Sequence, residues 1–203
     1  VTNPPIDPFR EKVVMSLQCP IGPEANILEP CSRQVHRLWL KQPLLSLSDL
    51  EVLKYTTHRG WTSSIIDTTF NAAEGTFGLV ARLNTICEEA EIASKTHQIL
   101  ILSDRLVGPK RVPISSLLAL GAIHHHLIET RSRMNVALVV ESGEVREVHH
   151  ICVLLGYGAD AICPYLALEL AYTLRDQGVL ENSMTNEIIF QHYSQAINTG
   201  ISK

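Results

Sequence analysis

Long hydrophobic runs are missing from this 203-residue chain: the longest, such as "QILIL" and "NVALVV", fall far short of the ~20 residues that span a bilayer. The sequence therefore carries no membrane-crossing segment. Positive charge is scarce, with Lys+Arg 17 against Asp+Glu 21, a formal net charge of -4 and a pI near 6.1. That is not the basic footprint of a nucleic-acid binder. Cysteine pairs are missing as well. Cys19, Cys31, Cys87, Cys152 and Cys163 are widely spaced and form no C-x-x-C, against both a disulfide framework and a structural zinc site. Three of them (Cys87, Cys152, Cys163) lie in apolar segments, where a thiol behaves as a small hydrophobe. The reading is a reducing intracellular compartment, cytoplasm or an organelle such as a plastid. Neither an initiator Met nor a signal region opens "VTNPPIDPFR", and the chain stops at "NTGISK" directly after a helical pattern. Both ends read as cuts in a longer polypeptide, or as those of a processed or trimmed chain.

What is present is an ordinary globular composition, 45% hydrophobic and 19% charged, enough for one good core. Residues 1–60 hold seven of the ten prolines, Pro4, Pro5, Pro8, Pro20, Pro23, Pro30 and Pro43, and cannot form long helices. Irregular chain is predicted there, with short helices at "FREKVVMSL" and "SLSDLEVLKYT". In the second, Ser48 reads as the N-cap and Glu51 completes a capping box.

From residue 61 onward short β-rich runs alternate with helical patterns. The runs are "SSIID" (63–67), "HQILILSD" (97–104), "NVALVVES" (135–142) and "ADAICPY" (159–165). The steps between them, Ile65 to Ile99 to Val136 to Ala161, are 34, 37 and 25 residues. Apolar runs at strand–helix–strand spacing point to an α/β fold with a parallel sheet buried on both faces. Four such units make half of an eight-fold barrel, and a doubly wound open sheet fits the spacing equally well.

In parallel α/β folds reactive groups gather where strands end and loops begin. The strand ends here carry Asp67, then Asp104 with Arg105, then Glu141 with Ser142, then Tyr165. The plainer explanation is that βα loops are polar and open with capping residues. Histidines cluster at His124–His126 and His149–His150. Consecutive helical residues point ~100° apart, so three in a row cannot serve one ion, and structural roles at helix contacts explain them better. In "GPKRVP", Lys110 and Arg111 precede a helix opening at Ser115, where an anion can sit. The segment is not a phosphate-binding loop, because Pro109 and Pro113 lack an N–H and the Gly-Lys-Ser/Thr ending is absent. "GYGAD" precedes a strand, so Gly156 and Gly158 read as helix C-cap and turn. In "ESGEVREVHH", Ser142 reads as a helix cap with Glu144 in the first turn.

Two blocks are more specific. "VTNPPIDPFREKVVMSLQCPIGPEANILEP" and "ILSDR…VPISSLLALGAIHHHLIETRSRMNVALVVESGEVREVHHICVLLGYGADAICPYLALE" resemble the central domain of the glutamate synthase large subunit, over nearly the whole chain. The resemblance implies a partial or degenerate TIM-type, FMN-oxidoreductase-like barrel that holds no FMN. Its Pro-rich irregular part is 1–60 and its βα-repeat part 61–203, one domain truncated at both ends. It also implies a place in an enzyme that converts glutamine, 2-oxoglutarate and reductant into two L-glutamate. There a glutaminase domain releases ammonia, which travels through an internal tunnel to a domain carrying FMN and an iron–sulfur cluster. Those two domains of the parent chain are the implied partners. By the same resemblance Thr2, Asn3, Pro4, Pro5, Ile6 and Asp7 lie in the tunnel region. Consecutive prolines suit a dry wall, since they hold backbone without N–H donors, though they equally fix a chain's path between domains.

The departures are as informative. The family's glutaminase nucleophile is an N-terminal cysteine and this chain begins with Val1; its three closely spaced iron–sulfur cysteines have no counterpart here. No catalytic, cofactor or metal residue is expected in this segment, which should be inactive alone and prone to self-association through surfaces left by missing domains. Nothing in it names the electron donor. Two other readings compete: a stand-alone barrel-type enzyme using Asp67, Asp104, Arg105, Glu141 and Tyr165 on a small anionic substrate, and a metal protein using the two histidine clusters.

Overall fold

Six α-helices and eight strands lie wholly within the described residues. A computed structural model describes residues 13–203; Thr2–Asp7 and the start of the helix predicted at "FREKVVMSL" lie outside the described residues. The first elements are a two-stranded antiparallel ribbon, β1 (Cys19–Ile21) with β2 (Leu38–Leu40), and helix α1 (Leu47–Lys54). The main sheet is built from β3 (Ser63–Asp67), β5 (Ile99–Ser103), β7 (Ala137–Glu141) and β8 (Ala161–Cys163). Helices α2 (Gly75–Ala93), α3 (Ser116–Glu129) and α4 (Val148–Gly156) connect them, and α5 (Tyr165–Asp176) and α6 (Asn186–Ile201) close the chain. A small antiparallel pair, β4 (Thr69–Asn71) with β6 (Arg111–Pro113), sits beside the strand ends.

All four sheet strands are parallel and lie in chain order, β3-β5-β7-β8. Right-handed crossovers that always step the same way put every connecting helix on one face, so the sheet is singly wound, with no switch of direction. This excludes the doubly wound arrangement. Among the described residues the sheet does not close: β3 is one edge, and the outer edge of β8 is taken by residues 43–45. There the Leu45 N–H donates to Ile162 and the Ile162 N–H to Pro43.

Side chains alternate between two cores. Leu100, Leu102, Leu138, Val140 and Ile162 face the helices and meet Ile86, Leu120, Ile123 and Leu127. Ile99, Ile101, Ala137, Val139, Ala161 and Cys163 face the other way. Among the described residues α2, α3 and α4 add nothing to that second face. It is covered by Ile21, Leu45, Leu50 and Leu53 from the Pro-rich part, with Trp61 just ahead of β3 and Tyr165 from α5. Covering on both sides is why "ILILS" and "ALVVE" are buried at every position. On β3, at the open edge, Ile65 remains 51% exposed.

Several predicted boundaries move. Helix α1 is capped by Ser46, whose hydroxyl accepts from the Asp49 N–H while Asp49 accepts from the Ser46 N–H, two residues before the predicted Ser48–Glu51 box. Pinning of Leu45 to β8 forces the helix to begin at once. Ser142 does not cap α4, which starts later, after an extended Glu147. Gly158 makes the turn at φ 105°, as predicted, but Gly156 is the last helical residue and the C-cap is Tyr157. A Cβ at Gly158 would fall on the His124 ring, whereas one at Gly156 meets nothing within 4 Å. Gly158→Ala is expected to lower unfolding free energy by about 2 kcal/mol or more in urea titrations. Gly156→Ala, by contrast, is expected to be neutral or stabilising by up to about 1 kcal/mol.

Candidate functional site

The carboxyl ends of β5, β7 and β8 gather four of the five strand-end residues singled out in the sequence. Glu141 ends β7 at 3% exposure. It accepts from Ser103 Oγ at 2.7 Å and from Lys54 Nζ of α1 at 3.0 Å, with Arg105 Nε at 3.9 Å. Lys54 also reaches Glu51 at 3.0 Å. Burial pulls the Lys54 ammonium down, but its hydrogen bonds to Glu51 and Glu141 outweigh that and hold its pKa above the ordinary 10.5. Arg105 lies 4.3 Å above the centre of the Tyr165 ring and pairs with Glu169 of α5.

Asp104 turns toward the next loop. It accepts from Ser142 Oγ at 3.0 Å and from the Gly143 N–H at 2.9 Å. Burial raises its pKa against the pull of those two donors. Burial also raises the Tyr165 phenol above its ordinary 10.0, and the facing Asp104 charge adds to the effect. The buried Cys163 thiol is pushed up to about 12 by desolvation and then by Glu141, so it stays a neutral thiol at neutral pH.

Asp67 stands apart. It accepts from the Thr69 N–H at 2.9 Å and forms an ion pair with Arg111. Arg111 is thereby committed, so the segment 108–113 does not present it to an anion at the start of α3. That helix terminus holds a carboxylate from within the chain: Glu144 accepts from the Ser116 N–H and Ser116 Oγ, both at 2.8 Å. Lys54, Ser103 and Glu169 complete the cluster and were not singled out in the sequence. Lys54 and Glu169 lie on helices whose only local signal is a solvent-like charge, and Ser103 alone had a strand-end position to mark it.

The histidines serve helix contacts. His124 Nδ1 accepts from Arg133 Nε at 3.1 Å, and burial together with that guanidinium lowers its pKa. His126 Nε2 lies 3.0 Å from Glu91 of α2, and His150 Nδ1 accepts from the Arg146 N–H at 3.2 Å. Among the described residues no three His, Cys, Asp or Glu side chains gather as a metal would require.

The four strands thus form an open parallel sheet whose strand-end charges are matched to one another. The sequence profile of the glutamate synthase central domain matches residues 1–203. The chain belongs to that family. It is 47% identical to "Glutamate synthase [NADH]" of Schizosaccharomyces pombe, a match covering all of this chain and 10% of that protein. It is 40% identical to "Glutamate synthase [NADPH] large chain" of Bacillus subtilis and 39% to "Ferredoxin-dependent glutamate synthase 2, chloroplastic" of Arabidopsis thaliana, with 13% of each covered. The chain therefore spans roughly a tenth of the length of these relatives, whose names carry three different electron donors.

Of the FMN and iron–sulfur cluster implied by the family, neither fits the described residues. A flavin would need the face of the sheet that Leu50, Leu53 and Trp61 fill, and cations that Glu141 and Glu169 already hold. Of the cysteines, Cys163 is buried alone under α1 while Cys31 and Cys152 are exposed on separate elements.

Removing one partner of the Lys54–Glu141 pair leaves a buried charge. Lys54→Met is expected to cost about 3 kcal/mol, and Lys54→Met with Glu141→Leu to recover most of it, read by a double-mutant cycle in urea. Lys54 and Tyr165 both hold their protons more tightly folded than unfolded. Stability should therefore be unaffected by either below about pH 10 and fall as pH rises beyond it, with a shallower fall in Tyr165→Phe, measured as urea midpoints across that range.

Proposed function

We propose that the chain is a structural and channelling segment of a glutamate synthase, an enzyme making two L-glutamate from glutamine, 2-oxoglutarate and reductant. It packs between the glutaminase domain and the FMN and iron–sulfur domain, and its first residues, Thr2 to Asp7, wall part of the ammonia route. In this reading the four-stranded sheet is part of a degenerate TIM-type barrel whose interior is plugged by its own N-terminal segment, with 1–60 and 61–203 acting as one domain. The observation that carries it is the family match over the whole chain, joined to a strand-end cluster whose charges are satisfied internally.

Large apolar side chains left in solvent support a position between other domains: Phe77 is 81% exposed, Val52 69% and Trp39 65%. The stand-alone enzyme reading would need Asp104, Arg105, Glu141 or Tyr165 free to meet substrate, and each is engaged by a neighbour.

The test is made in the full-length protein. Arg105→Gln is expected to leave turnover within about twofold, whereas a substrate-binding or catalytic role predicts a loss of about 100-fold or more. Asn3→Leu is expected to raise the ratio of glutamine hydrolysed to glutamate formed, with added ammonium restoring synthesis. An unchanged ratio removes the tunnel assignment, and a collapse of turnover in Arg105→Gln with an intact fold removes the scaffold reading.

A further inference from the structure

At the opposite end of the sheet the charges are not balanced. Where the strands begin, with Trp61 ahead of β3 and Gln98 ahead of β5, a cavity of about 470 Å³ opens between the N-terminal segment and the end of α2. Its walls carry Arg33, Arg59, Lys95, His36 and His97 and, among the described residues, no carboxylate. This is in a chain whose formal net charge is -4. The side chains of Arg33 and Arg59 make no hydrogen bond or ion pair among the described residues. Lys95, whose side chain is 66% exposed, has Glu91 at a distant 3.9 Å. The contrast with the strand-end arginines, each matched to a carboxylate, is sharp. Arg59 is held at φ 54° next to Gly60 at φ 79°, an uncommon conformation for a side chain of that size and one that clusters where residues are used.

Buried Trp61, met edge-on by the His36 ring at 5.7 Å, forms a wall shared with a second cavity of about 410 Å³. That one is lined by Leu38, Val52, Leu53 and Ile99 and also by Arg37, Arg59 and His58. The two cavities share His36, Arg59 and Trp61, so cationic and apolar surface lie side by side in one cleft.

We propose that this cleft binds a small organic anion carrying two or more carboxylate or phosphate groups, with its charge on Arg33, Arg59 and Lys95 and its apolar part against Trp61 and Leu53. Guanidinium forks present paired donors to such oxygens, and the apolar compartment supplies the desolvated surface that ligand sites use. Gathering these cations with only Glu91, 3.9 Å from Lys95, as a counter-charge costs repulsion that an anion relieves. The site lies at the end of the sheet away from the strand-end cluster, so it is a separate binding function, independent of the role proposed above.

The experiment is calorimetric titration of the full-length protein at low salt with citrate and, separately, with pyrophosphate. One saturable site per chain is expected for at least one probe, weakening as salt is added. Citrate binding alone marks a carboxylate ligand and pyrophosphate alone a phosphate ligand. Arg33→Gln and Arg59→Gln, both at exposed positions and expected to keep the melting temperature, should each weaken binding about tenfold or more. Lys110→Gln, remote from the cleft, should not. Absence of saturable binding for both probes, or equal loss in Lys110→Gln, overturns the proposal.

Discussion

A parallel sheet has to be covered on both faces, and this chain meets that demand with two unlike materials. The crossover helices α2, α3 and α4 come with the repeat and fill one side as a consequence of its handedness. The other side, which a closed barrel would fill by packing its strands' inward side chains against one another, is left open by only four strands. Ile21, Leu45, Leu50 and Leu53, from a segment too rich in proline to form long helices of its own, close it together with Trp61 at the start of the repeat. Both parts depend on this contact. Without it Ile99, Ile101 and Val139 would face water, and the N-terminal segment would have no core.

Covering the second face places a charge problem at the strand ends, where Glu141 is carried into an almost fully buried position. The answer is an ammonium delivered by the covering segment itself: Lys54, in the last turn of α1, reaches Glu141 and joins the two layers electrostatically as well as by packing. Arg105 stacks on Tyr165 and ties in Glu169, while Glu144 neutralises the start of α3. These strand-end groups are occupied with one another, which suits the scaffold role proposed for the chain.

The elements were largely legible. The four sheet strands, within the runs at 63–67, 97–104, 135–142 and 159–165, and the helical patterns between and after them follow from apolar runs alternating with a 3.6-residue period. The Gly158 turn was legible because helix ends have a local code. Legibility failed where distant chain competes with local preference. Ser46 takes the cap from Ser48 because Leu45 is held by β8, and Ser142 gives its hydroxyl to Asp104 instead of capping α4. At the candidate site, strand-end logic found Asp104, Arg105, Glu141 and Tyr165 but not their state of pairing, because Lys54 lies 87 residues from Glu141 and no spacing rule connects them.

The sequence alone determined the α/β class, the positions of the repeating units and, through long specific words, the family to which the chain belongs. These are properties of local periodicity and of residue order. Whether the sheet winds one way or two, whether it closes, what covers its second face and whether the strand-end charges stay free were decided only in three dimensions. Each depends on which remote segment wins a shared surface, and that competition is settled by burial and desolvation across the whole fold.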